Sequence, residues 1–248
     1  MVVLCGTSGY NYEPWRGPFY PPDLPKSKML AYYASRFDTV EINYSFYRRP
    51  TAKLLSGWAA QVPDRFRFAL KAWQAITHRA RLRDPDLVAP FADAARSLGP
   101  KLAPILYQLP PNLKSDSALL RDFLHHLPRD LPAAFEFRHE SWFSEETFAA
   151  LRDFGAALCI AESDELATPR IRTAPFGYLR LRKAEYDEAQ LESWATWVRD
   201  AGFAQDVFCY FKHEDEARGP RFAEQFRRAV EAASTSQRSG AMQTTPAT

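Results

Sequence analysis

The stretch that decides the fold is residues 133–160, AAFEFRHESWFSEETFAALRDFGAALCI. It opens on Ala133–Arg138, where Phe135 and Phe137 alternate with Glu136 and Arg138, the period-two pattern of a strand. It closes on a second short apolar run, Ala156–Ile160. Between them, Glu145–Phe154 can form a helix. Ser144 followed by Glu145, Glu146 and Thr147 resembles an N-cap with acidic residues in the first turn, where the partial positive charge of a helix end favours them. Strand, helix and strand in so short a span make a parallel crossover unit.

The same unit recurs on both sides. Further strand-like runs are Val2–Cys5, Thr39–Tyr44, Phe66–Lys71, Pro104–Gln108, Tyr178–Arg182 and Val207–Lys212, which brings the expected strands to eight. Helical segments fall at Ser27–Phe37, Thr51–Gln61, Leu87–Leu98, Ser117–Leu127, Glu188–Ala201 and Arg221–Ala233. The helix ending at Leu98 is followed by Gly99 and Pro100, a strong stop. Between Ile160 and Tyr178 the chain carries Pro169 and Pro175 and little helical period, so the sixth helix is expected to be degenerate. The fold expected is α/β, a single (β/α)8 TIM-barrel-like domain over residues 1–233. A doubly wound open sheet would want a Gly-rich phosphate turn after the first strand. Gly6 to Gly9 is too short a match, and the Pro-rich loop Pro14–Pro25 follows instead of a helix. Residues 234–248 are rich in Ser, Thr, Gln and Ala, lack large apolar groups and are expected to be a disordered tail.

Composition supports one large core. Of the 248 residues 46% are hydrophobic, with 18 Phe and 11 Tyr, and the formal net charge is +2, which excludes a strongly basic protein but leaves room for a local basic patch. Cys5, Cys159 and Cys209 lie far apart in apolar runs, so buried reduced thiols are expected rather than a disulfide framework or zinc knuckle. Met1 runs straight into a strand, and no apolar stretch approaches a membrane span. No leader and no membrane contact are expected, and a cytoplasmic setting fits.

In a barrel, side chains alternate inward and outward along each strand, and functional groups gather at the C-terminal strand ends. Val40 and Ile42 face the helices, leaving Glu41 and Asn43 inward. On the third strand Phe66, Phe68 and Leu70 pack outward and Lys71 points in; Gln108 ends the fourth. The fifth leaves Glu136 and Arg138 inside, the seventh Arg180 and Arg182, and on the eighth either Lys212 or His213 turns in. Glu41 and Glu136 thus bring two negative charges against five positive ones from Lys71, Arg138, Arg180, Arg182 and Lys212. A self-satisfied network would account for some of these groups. The excess positive charge is what an anionic ligand would neutralise. His78, His139 and His213 each follow a strand and, with Glu136, are the residues a metal would use, although their spacing is not diagnostic and no metal is expected. An acid/base pair for a glycoside is disfavoured, because each glutamate has a basic partner that would lower its pKa. The aromatic loop with Trp15, Phe19 and Tyr20 could stack on a base or sugar at the rim, or simply pack its own rings.

At these same residues the chain resembles the YecE-like family, domain-of-unknown-function family 72. The matching segments are Gly6–Tyr10, Phe19–Pro21, Val40–Asn43, Phe46–Arg48, Phe66–Lys71, Ile76–His78, Gln108–Pro111, Phe135–Arg138, Ser141 with Trp142, and Phe211. They run from the first strand to the eighth. The resemblance implies a (β/α)8-related barrel without an agreed activity, and it adds Tyr47, Arg48 and Trp142 to Trp15 as rim residues. A fold-level analogy links such barrels to metal-dependent apurinic endonucleases. Two departures stand out. Many family members end the seventh strand Arg-Leu-His-Gly where this chain has Arg180, Leu181, Arg182 and Lys183. Many carry Asn-Asn where it has Lys212 and His213. Both changes make the pocket more basic, and the first removes a histidine a metal could use.

The leading expectation is a protein that binds a phosphorylated or otherwise anionic small molecule and could turn it over as a hydrolase or lyase, whether it is an enzyme being left open by the sequence. Glu41 or Glu136 would transfer protons, and Asn43, Lys71, Gln108, Arg138, Arg180, Arg182 and Lys212 would hold the anion. The alternatives are a nucleic-acid-binding or metal-dependent nuclease-like protein, which the near-neutral net charge disfavours, and a non-catalytic ligand-binding module. No cofactor is expected; a divalent metal is the one candidate.

Overall fold

The computed structural model describes residues 1–212 and 215–241. Its parallel strands are β1 (Val3–Ser8), β2 (Thr39–Ile42), β3 (Arg67–Leu70), β4 (Ile105–Gln108), β5 (Ala133–Glu136), β6 (Ala157–Glu162), β7 (Gly177–Leu181) and β8 (Val207–Phe211). They pair in the order β3-β2-β1-β8-β7-β6-β5-β4. The remaining edge, β3 to β4, is joined by isolated bridges at Phe68 with Leu102 and Lys71 with Leu106. The backbone hydrogen bonds from Ala103 to Phe68 (2.9 Å) and from Ala72 to Leu106 (2.8 Å) draw the edges together. The result is a nearly closed barrel, as expected.

The helices outside it are α1 (Met29–Arg36), α2 (Tyr44–Tyr47), α3 (Ala52–Ala59), α4 (Val88–Arg96), α5 (Ser117–His126), α6 (Glu145–Phe154), α7 (Glu188–Asp200) and α8 (Arg218–Ala241). Their starts are written in the sequence. Ser144 accepts the amide of Thr147, Asp116 that of Leu119, and Asp187 forms a capping box with Gln190. Gly155, at φ 66°, ends α6 in the left-handed conformation that glycine adopts at least cost. No helix joins β6 to β7. The chain over 163–176 runs instead as a strap, held where the Thr173 hydroxyl accepts the Leu158 amide (2.7 Å) and donates to the Ala156 carbonyl (2.8 Å). Past the expected end at Ala233, α8 continues to Ala241, into the segment expected to be a disordered tail; 242–248 lie outside the described residues.

Alternation along the strands builds two cores. Outward residues such as Val40, Phe68, Tyr107, Phe135, Leu179 and Phe211 pack against the helices. Inward ones, including Ala69, Leu106, Ala134, Cys159, Tyr178, Phe208 and Tyr210, fill the barrel. Small alanines on β3, β5 and β6 leave room for the Tyr178 and Tyr210 rings, whose centroids lie 5.3 Å apart. The three cysteines are free and buried. Among the described residues no helix is long and apolar enough to cross a membrane.

Candidate functional site

Period two sets the inward residues, and the last of them on β2, β5 and β7 are charged, with Ser8 and Gln108 polar at the ends of β1 and β4. At the floor Arg180 of β7 spans two carboxylates. Its Nη2 lies 2.9 Å from Glu41 Oε1 at the end of β2, and its Nη1 pairs with Glu136 Oε2 at the end of β5. Glu41 also accepts from the Ser8 hydroxyl and from Tyr178 (2.7 Å). Glu136 accepts from Gln108 Nε2 (2.9 Å) and Arg182 Nη2 (3.2 Å), with Arg138 Nε at 3.8 Å. Burial by itself would raise the Glu136 carboxyl. Arg180 and Arg182, with the Gln108 hydrogen bond, outweigh it and hold the group down at about 2. Glu136 is therefore a fixed anion at neutral pH. The buried Nε atoms of Arg180 and Arg182 have no partner among the described residues.

Above this floor opens a cavity of about 500 Å³. Lys71, Arg138, Arg180, Arg182 and Lys212 line it with Asn43, Gln108 and His78, and Tyr12, Phe46 and Tyr47 form its aromatic side. Among the described residues no carboxylate reaches its wall. The ambiguity on the last strand is resolved by alternation, since Phe208 and Tyr210 face inward and Lys212 continues their series. His213 lies outside the described residues. Lys71 sits with its ammonium 4.1 Å from the Phe46 ring centroid. Burial first, then the Arg180 charge, lowers its pKa to about 8. His78 packs edge-on against the same ring (4.8 Å) and exchanges a hydrogen bond with Thr77; burial and then the Lys71 and Arg138 charges lower its pKa.

The sequence thus placed Glu41, Asn43, Lys71, Gln108, Glu136, Arg138, Arg180, Arg182 and Lys212 in one cluster, and the structure brings them together. The expected rim divides. Tyr47 stands on the cavity wall, 70% exposed. Trp15 and Trp142 do not. Trp15 is buried among Tyr12, Phe19 and Tyr20, so its loop packs its own rings. Trp142 stacks on Phe137 at 4.7 Å and donates to the Leu113 carbonyl. Arg48 is exposed beyond α2, off the wall. Ser8, Tyr12, Phe46 and Tyr178 went unread. For Tyr178 a signal existed, because it lies two residues before Arg180 on the inner face.

Among the described residues the expected metal set does not come together; His213 lies outside them. His139 Nδ1 accepts the Ser141 amide and lies off the cavity wall, and both glutamates are engaged by arginine. Among the described residues no three His, Cys, Asp or Glu side chains meet as a metal would need. The described residues do not fit such a group. A second cavity, of about 320 Å³, lies at the opposite end of the barrel beneath β5 and β6. Its wall is largely apolar (Leu124, Leu127, Phe154, Phe176), and that end of a TIM barrel serves stability rather than chemistry.

A parallel barrel whose strand ends carry a charged cavity defines a protein of the TIM-barrel class. Solved structures agree. A DUF72 family protein from Thermotoga maritima superposes with a TM-score of 0.80 at 25% identity, over 93% of this chain and 100% of that one. A xylose isomerase-like TIM barrel from Mycobacterium smegmatis, solved with magnesium, reaches 0.57 at 11% identity over 93% of this chain and 97% of that one, which bears on the fold alone. The chain belongs to the family described as protein of unknown function DUF72, whose model matches residues 4–247. It is 32% identical over 185 residues to the UPF0759 protein YunF of Bacillus subtilis, covering 69% of this chain and 64% of that protein. It is 33% identical over 118 residues to YecE of Escherichia coli K12, covering 47% of this chain and 43% of the relative.

Proposed function

We propose that the protein binds a small phosphorylated or otherwise anionic molecule in the cavity at the C-terminal strand ends. One observation carries this reading: Lys71, Arg138, Arg180, Arg182 and Lys212 line the cavity while the two neutralising carboxylates lie beneath it. Glu41 and Glu136 engage Arg180 and Arg182 closely, which leaves Lys71, Lys212 and Arg138, held only at 3.8 Å from Glu136, as the charges a ligand meets. Concave walls of one sign concentrate such a field. Glu136, held as an anion, is better suited to orienting the arginines than to giving up a proton. A reducing, cytoplasmic setting suits the three buried free thiols.

Thermal unfolding in phosphate, sugar phosphates, nucleotides or short DNA, against chloride of equal ionic strength, tests the reading. A bound anion at a hundred times its dissociation constant stabilises by about 2.7 kcal/mol. The expected outcome is stabilisation by small phosphorylated molecules, lost in Arg138→Ala/Lys212→Ala. That pair is chosen because the main carboxylate-bracing contacts of the floor come from Arg180 and Arg182. No stabilisation by any anion, or an unchanged response in the double variant, would refute it.

A further inference from the structure

Lys71 differs from the arginines of the site in lacking a carboxylate partner, and from Lys212 in being partly buried rather than exposed. Arg180 and Arg182 are paired to carboxylates, and Arg138 lies 3.8 Å from one. Elsewhere in the protein, Lys183 meets Glu162 at 3.1 Å, and Lys101 donates to the Ala59 and Val62 carbonyls at 2.8 Å each. Among the described residues, Lys71 Nζ has neither a carboxylate nor a hydrogen-bond acceptor, only the face of Phe46. Its backbone, by contrast, is pinned. The Lys71 amide donates to Ile42, its carbonyl accepts from the Ser45 hydroxyl at 2.7 Å, and it bridges to Leu106 of β4. A long side chain therefore rises from a fixed base at the end of β3 and presents a partly desolvated amine to the cavity.

We propose that Lys71 is a nucleophilic amine that forms an imine with the carbonyl carbon of a small phosphorylated aldehyde or ketone, whose phosphate is held by Arg138 and Lys212. This deepens the anion-binding reading and rests on it. The groups facing Lys71 favour the free amine. Arg180 on β7 and Lys212 beyond β8 oppose its protonation, Glu41 and Glu136 beneath the floor support it, and burial tips the balance toward a pKa near 8. About a tenth of the side chain is then neutral at pH 7, against about one in 2,500 for a lysine at 10.4.

The step balances without an oxidant or reductant. The Lys71 nitrogen forms a C–N bond to the carbonyl carbon, and one amine proton passes to the carbonyl oxygen to give a carbinolamine. The C–O bond then breaks, and the hydroxyl leaves with the remaining N–H proton as water. One amine and one carbonyl yield one imine and one water. His78 lines the same cavity, and with its pKa lowered it is neutral at pH 7 and able to carry the proton between nitrogen and oxygen.

The test is reductive trapping on the full chain. The protein is incubated with glycolaldehyde phosphate or with glycolaldehyde, sodium cyanoborohydride reduces any imine to a stable secondary amine, and peptide mapping locates the added mass. The expected result is a single adduct on Lys71, formed at least about tenfold faster with the phosphorylated aldehyde, a discrimination of about 1.4 kcal/mol. Inorganic phosphate slows it, and its rate climbs between pH 7 and 9. Lys71→Arg, which keeps the positive charge, loses the adduct. Labelling spread over exposed lysines, or equal rates for the two aldehydes, overturns the proposal on the wild-type protein alone. If anions stabilise the fold but Lys71 stays unlabelled, the imine fails and the anion site stands. If neither occurs, both readings fall.

Discussion

Glu136 shows how single residues set the behaviour of the site. Its folded-state carboxyl is depressed from the usual range to about 2 by Arg180, Arg182 and Gln108 acting against burial. A depressed carboxyl stabilises the fold fully above its unfolded pKa, and that contribution is lost as pH falls through the folded value. A shift of this size corresponds to about 3 kcal/mol. Wild-type stability, followed by urea unfolding, is therefore expected to drop between about pH 4.5 and 2. Glu136→Gln is expected to be destabilised near neutral pH yet flatter across that acid window; an equally steep acid loss in the variant contradicts the assignment. Period two read nearly every charged residue of the site correctly, because alternation is a local property. That each glutamate would have a basic partner was legible; which one was not. Arg180 reaches Glu41 and Glu136 from another strand of the closed sheet, and only the closure brings them within 3 Å. Trp142, and Trp15 as a rim residue, were misplaced for a related reason, a loop aromatic reading the same whether it faces solvent or folds under; the reading in which the Trp15 loop packs its own rings is the one the structure bears out.

Among the elements, β1 and β2 are fitted most closely at Gly6, where an added Cβ would stand 2.1 Å from the Thr39 carbonyl oxygen. Gly6→Ala is expected to cost more than the 0.5–3 kcal/mol typical of point changes, because the strands must separate next to the hydrogen bond that the Thr7 amide donates to the Tyr33 hydroxyl. A denaturation midpoint close to wild type shows that they tolerate it. Strands and most helices were legible to within a few residues, since apolar period and capping residues such as Ser144 are written locally. The four-residue α2 was hidden inside the expected strand run Thr39–Tyr44 and its continuation. The strap between β6 and β7 was foreseen from Pro169 and Pro175, which deny it a helix.

At the scale of the whole molecule the barrel is unevenly sealed. β1 and β8 are in register over five residue pairs, Val3 to Thr7 against Val207 to Phe211, whereas β3 and β4 touch through isolated bridges. Hydrogen exchange is expected to release the Ala72 and Ala103 amides before those of the β1–β8 ladder, because local opening begins where fewest backbone bonds must break. Equal protection at both places counts against an uneven seam. The net charge of +2 is small, so the cationic character of the cavity is local rather than global. Arg180 makes that character heritable in an unusual way. Because one guanidinium serves carboxylates from two different strands, losing it leaves Glu41 without a cation among the described residues and Glu136 with Arg182 and Arg138 alone, and losing either glutamate removes one of the two anions that hold Arg180. Stepwise drift at Glu41, Glu136 and Arg180 is thus costly in each direction, and an apolar floor requires replacing these three together with Arg182.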